Sequence, residues 1–86
     1  MNLKVEMYTG PFCSYCVRAK KLLNEKKIKF LEIDLSIHPN KRKEMQIRSG
    51  GRITIPQIFI NKKSIGGYDE LYSLHIKGKL DKILNK

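Results

Sequence analysis

Leu3-Lys4-Val5-Glu6-Met7-Tyr8, broken by Thr9-Gly10-Pro11 and soon followed by Cys13-Ser14-Tyr15-Cys16, decides how the chain is read. The first six residues alternate apolar and polar, the period of a strand. Gly10 and Pro11 interrupt it. From Ser14 to about Lys27 the period becomes helical, with Cys16, Ala19, Leu22 and Leu23 on one face. The two cysteines therefore stand between a strand and a helix, the setting in which C-x-x-C reads as redox-active.

The placement has a chemical consequence. A helix N-terminus presents unpaired N–H groups and the positive end of the dipole, and both favour an anion. Such a site lowers a thiol pKa from about 8.5 to between roughly 3.5 and 7.5, and the thiolate is the nucleophile. Cys13 has that position. Cys16, one turn in, shares the apolar face with Ala19 and Leu23 and is expected to keep a higher pKa. Cys13 then attacks a disulfide, and Cys16 resolves the mixed disulfide. A structural zinc site needs four ligands. The only two histidines, His38 and His75, lie at spacings no zinc motif uses.

Working outward, Phe30 to Leu35 alternates again, with Leu31, Ile33 and Leu35 on one side. Pro39 suits a helix start and Gly50-Gly51 its end, although only Met45 and Ile47 are apolar between them. Gln57 to Ile60 and Lys63 to Ile65 read as two short strands joined by a tight turn at Asn61-Lys62. Asp69 to about Lys77 is helical, and Leu80, Ile83 and Leu84 form a last apolar stripe. The opening β-α-β implies parallel strands with a right-handed crossover, and the later pair an antiparallel hairpin. The expectation is an α/β domain over 1–86 with a four-stranded mixed β-sheet flanked by helices on both faces. Lys4 and Glu6 are in tension with it, because they share one face of a strand expected to be central.

Eighteen Lys and Arg against eight Asp and Glu give the 86 residues a formal charge of +10. No nucleic-acid motif accompanies the basic runs Lys41-Arg42-Lys43 and Lys26, Lys27 and Lys29, and aromatics do not interleave with them. The charge is read as a solvated surface that favours anionic partners, with neither nucleic acid nor membrane expected. No apolar stretch approaches the roughly 20 residues that span a bilayer. Lys4 and Glu6 interrupt the region where a signal peptide needs an apolar run. One close cysteine pair cannot staple a secreted fold. The expectation is a soluble, cytoplasmic protein acting as a monomer.

Two further segments matter. Thr54-Ile55-Pro56 precedes a strand, where proline removes a backbone donor. Gly66-Gly67-Tyr68-Asp69 lets backbone approach a ligand and offers a helix N-terminus to a carboxylate, with the Asp69 side chain available to an ammonium group. In this order, Met7-Tyr8-Thr9, Cys13-Ser14-Tyr15-Cys16, Thr54-Ile55-Pro56 and Gly66-Gly67-Tyr68-Asp69 resemble a glutaredoxin, most nearly the short bacterial dithiol type. Thioredoxin's Trp-Cys-Gly-Pro-Cys does not match, and the chain has no tryptophan.

The resemblance implies a thioredoxin fold and a glutathione-dependent thiol–disulfide oxidoreductase serving cell redox homeostasis. Its substrates would be disulfide-containing and glutathionylated proteins. It implies Cys13 as nucleophile and Cys16 as resolving thiol. Tyr15 would line the glutathione groove, and Ile55, before a cis Pro56, would pair with the cysteinyl part. Gly67, Tyr68 and Asp69 would hold the γ-glutamyl end, with Glu70 beside them, and Arg42 would meet the glycine carboxylate. Two departures stand out. Gly10 occupies the position where many glutaredoxins carry Lys or Arg, which leaves Arg18 or Arg52 to supply a cation. Ser14 replaces the common proline. Family members with Cys-Ser-Tyr-Cys include dimers that hold a [2Fe–2S] cluster through the nucleophilic cysteine, here Cys13, and glutathione. An iron–sulfur carrier or redox sensor is therefore the alternative.

Overall fold

A computed structural model describes residues 4–84. Its elements are β1 (Val5–Thr9), α1 (Ser14–Glu25), β2 (Phe30–Asp34), α2 (Lys41–Arg48), β3 (Gln57–Ile60), β4 (Lys63–Gly66), α3 (Tyr68–Ile76) and α4 (Lys79–Ile83). The expected first residue of β1, Leu3, lies outside the described residues. The sheet order is β2-β1-β3-β4. β2 runs parallel to β1, while β3 pairs antiparallel with both β1 and β4. This is the mixed four-stranded sheet of the thioredoxin fold. Among the described residues, no helix is long and apolar enough to cross a membrane.

Every residue of β1 is buried, as a central strand requires. Val5 and Met7 join Ile58 and Ile60 under Ala19 and Leu23 of α1, Leu71 of α3, and Leu80 and Leu84 at the C-terminal end. The opposite face is smaller: Tyr8, Leu35, Met45 and Phe59, with Ile33 and Ile55 packed against them. Leu31 shares that face but is exposed. The hairpin turn falls at Asn61 and Lys62, with φ of 51° and 69°. Two consecutive left-handed residues are what a tight hairpin matched to strand twist needs.

The tension at Lys4 and Glu6 resolves through α2. Lys4 precedes β1 and is exposed, whereas Glu6 is only 8% exposed. Arg48 of α2 donates from Nη2 to Glu6 Oε1 at 2.9 Å and from Nη1 to Oε2 at 3.2 Å. Nη1 also donates to the Tyr8 hydroxyl at 2.9 Å, and Tyr8 donates to Glu44. Lys41, Glu44, Met45 and Arg48 recur at three- and four-residue spacing, so they share one face of α2. Met45 from this face is buried in the core, while Ile47 is exposed. That explains the weak apolar stripe: α2 covers the sheet largely with paired charges.

Candidate active site

β1 ends at Thr9, and four residues bring the chain to Cys13, the N-cap of α1. Cys13 takes an extended conformation, and its Sγ accepts the Cys16 N–H at 3.1 Å. Its carbonyl accepts the Val17 N–H at 3.2 Å and opens the helical ladder. The sulfur thus sits where a cap oxygen normally does, on the orphan N–H groups of the first turn. Cys13 and Cys16 are joined in a disulfide, with Cα atoms 5.2 Å apart. Burial separates the two: Cys16 is 1% exposed, and Cys13 is only partly covered.

The segment before β3 faces this pair. The Ile55–Pro56 bond is cis, and the Ile55 carbonyl oxygen lies 3.8 Å from Cys13 Sγ. A groove of about 320 Å³ opens here. Tyr15 lines one part of it, Thr54, Ile55 and Pro56 another, and Gly67, Tyr68 and Asp69 a third, with Arg52 and Glu70 completing the wall. The Tyr15 and Tyr68 rings lie 6.1 Å apart, and the Arg18 guanidinium stands 5.5 Å over Tyr15. Glu70 accepts the Gly67 N–H and pairs with Arg52 Nη2 at 3.4 Å. Anionic oxygen therefore already sits at the start of α3, held by a backbone donor and a guanidinium.

Of the residues singled out from sequence, Tyr15, Ile55, Pro56, Gly67, Tyr68, Asp69 and Glu70 come together around the groove. Arg42 does not line it: it is exposed on α2. The cation that does is Arg52, carried there by the loop through Gly50 and Gly51, both with positive φ. Gly10 has a steric reason. A Cβ there would lie 2.8 Å from Ile55 Cδ1, so Ile55 fills the space that a side chain at position 10 would need. Sequence reading missed Gln57, buried behind the groove with Nε2 donating to Thr54 Oγ1 at 3.2 Å.

The family model described as Glutaredoxin matches residues 5–65. The chain belongs to the glutaredoxin family. Glutaredoxin 3 of Escherichia coli strain K12 is 49% identical over 80 residues, 93% of this chain and 95% of that protein. The solution structure of glutaredoxin from Brucella melitensis is 54% identical with a TM-score of 0.79, covering 95% of this chain and 88% of that one. The buckwheat glutaredoxin–glutathione complex is 29% identical with a TM-score of 0.85, covering 95% of this chain and 76% of that one. As a glutaredoxin, the chain is a thiol–disulfide oxidoreductase with a redox-active cysteine pair.

A [2Fe–2S] cluster takes four sulfur ligands. The two cysteines of this glutaredoxin are bonded to each other, and no group of three or more ligating side chains occurs among the described residues. A cluster would therefore need the Cys13 thiolates of two copies and two glutathione thiols to complete the four.

Proposed function

We propose that the chain is a glutathione-dependent oxidoreductase that reduces protein disulfides and protein–glutathione mixed disulfides. The observation that carries this reading is the groove beside Cys13. It presents the Ile55 carbonyl before a cis proline, a helix N-terminus at Gly67 and Tyr68, and a carboxylate at Asp69. Those groups complement the cysteinyl amide, γ-glutamyl carboxylate and γ-glutamyl ammonium of glutathione respectively. Arg52, lining the same groove beside Glu70, is our choice for the cation that meets a glutathione carboxylate. The complex reported for the buckwheat relative is consistent with the same ligand class.

In the reduced protein, the Cys13 thiolate attacks the substrate disulfide and forms a mixed disulfide while the substrate's other sulfur leaves as thiolate. With a protein disulfide, Cys16 then attacks Cys13 Sγ and releases the second substrate thiol. With a glutathionylated protein, the protein leaves as thiol, and glutathione attacks the Cys13–glutathione bond to give glutathione disulfide. The N–H of Cys16, already 3.1 Å from Cys13 Sγ, stabilises the thiolate in each departure. We assign this activity to the reducing cytoplasm, acting as a monomer on disulfide-containing and glutathionylated proteins.

The test is glutathione-dependent reduction of a glutathionylated peptide. Cys13→Ser should abolish it. Cys16→Ser should retain it while losing reduction of protein disulfides. Turnover that survives without Cys13, or that needs no glutathione, refutes the scheme.

A further inference from the structure

Phe12, the residue before the nucleophile, stands apart from the rest of the fold. The residue is 106% exposed relative to an open reference, the largest value among the described apolar residues. It belongs to neither core cluster and does not line the groove. Its backbone φ is +54°, in the left-handed region. A bulky residue there is an outlier, and such conformations cluster at functional sites. The turn from Gly10 to Cys13 has proline second, and its third position, with φ > 0, favours glycine or asparagine. Phenylalanine occupies it instead.

Among the described residues, the three other non-glycine residues with positive φ have a local reason. Lys27 closes α1, where the Ile28 N–H reaches back to the Leu23 carbonyl. Asn61 and Lys62 form the hairpin turn. Phe12 gains nothing of that kind from folding. The turn instead holds a large apolar ring in water, one residue from the sulfur that meets the substrate.

We propose that Phe12 is a specificity-determining residue of the exchange reaction. It docks polypeptide disulfides that carry a large apolar side chain beside the reactive cysteine. The proposal rests on the reading of Cys13 as nucleophile but not on glutathione. In the step it serves, Cys13 thiolate bonds one substrate sulfur and the substrate S–S bond breaks. Cys16 thiolate then bonds Cys13 Sγ, and the substrate leaves as two thiols. The protein dithiol is oxidised by two electrons, and the disulfide is reduced by the same two. Phe12 contributes contact area during approach and takes no part in bond making. Small disulfides without flanking side chains do not reach it.

The test compares reduced wild type and Phe12→Asn in single-turnover reactions without glutathione. Asparagine suits positive φ, so the turn is kept and thermal stability should be equal or higher. The probes are a disulfide-cyclised peptide with Leu next to one cysteine, the same peptide with Gly there, and cystine. The variant should lose about tenfold in second-order rate on the Leu peptide and stay within about twofold on the other two. Phe12→Tyr should retain the preference. Equal rates for wild type and variant on all three probes, or an equal fall on all three, would overturn the proposal. Inertness of the wild type toward every probe would overturn the role of Cys13, and this proposal with it. Preserved selectivity with no glutathione-linked turnover would leave it standing and remove only the glutathione reading.

Discussion

The guanidinium of Arg48 lies 4.2 Å over the ring of Phe59 while its nitrogens hold both oxygens of Glu6. One side chain thus covers an aromatic core residue and neutralises a buried acid on the central strand. Removing one partner of a buried pair leaves an uncompensated charge and costs about 3 kcal/mol or more. Lys62 Nζ, 3.5 Å from Glu6 Oε1, would still offset part of that charge, so Arg48→Met should destabilise by somewhat less, about 2 kcal/mol, in urea unfolding. The double variant with Glu6→Gln should lose less than the sum of the two singles, because the residues share one network. Additive losses would contradict the coupling.

The same network sets the pH response. Arg48's hydrogen bonds hold the Glu6 carboxyl below the usual carboxylate range, outweighing the opposing effect of burial. The hydrogen bond from Tyr8 does the same for Glu44. Both folded values are depressed, so their stabilisation is present above the ordinary carboxylate range and is lost as pH falls through the lowered values. Burial, with the Glu44 contact, pushes Tyr8 up to about 12 from 10.0. Its contribution is full below pH 10 and is lost as pH rises through about 12. Tm against pH should show both limbs. Glu6→Gln should flatten the acid limb and Tyr8→Phe the alkaline one.

Gly10 and Ile55 compete for one space. Gly10→Lys should destabilise by only about 0.5–1.5 kcal/mol, the scale of one off-rotamer side chain, because the atom in the way is the mobile end of Ile55. Adding Ile55→Val should recover part of that loss, read by chemical denaturation. If Gly10→Lys is neutral alone, position 10 is not closed by Ile55.

Arg52 and Arg42 separate in kinetics. Arg52→Ala should raise KM for a glutathionylated peptide about tenfold, the scale of one charge-assisted hydrogen bond, with kcat little changed. Arg42→Ala, away from the groove, should change KM by less than about twofold. The reverse ranking would move that carboxylate contact to α2.

Periodicity carried most of the fold. β1, α1, the hairpin and α3 were legible because each buries an apolar face against the same core, which stamps its period on the sequence. α2 was faint for a physical reason: its sheet-facing residues include Glu44 and Arg48, whose partners Tyr8 and Glu6 lie about forty residues away. The cysteine pair and the Ile55–Pro56 and Gly67–Asp69 segments of the groove were legible because their spacing carries the chemistry. Choosing Arg52 over Arg42 was not, because it depends on where a glycine-linked loop folds back. Nor was Phe12's left-handed turn, since phenylalanine gives no local sign of it.

The reactive sulfur hangs, four residues on, from a strand that is buried along its whole length and paired on both sides. Amides in such a strand exchange with solvent only when the entire molecule opens. Residues 51–54, of which Arg52 and Thr54 line the groove, are exposed and outside any regular element, yet Arg52 is held by Ser49 and Glu70 and Thr54 by Gln57. The cysteine pair therefore keeps its place on the sheet until the whole protein denatures, and slow exchange of the Val5–Thr9 amides would report that protection.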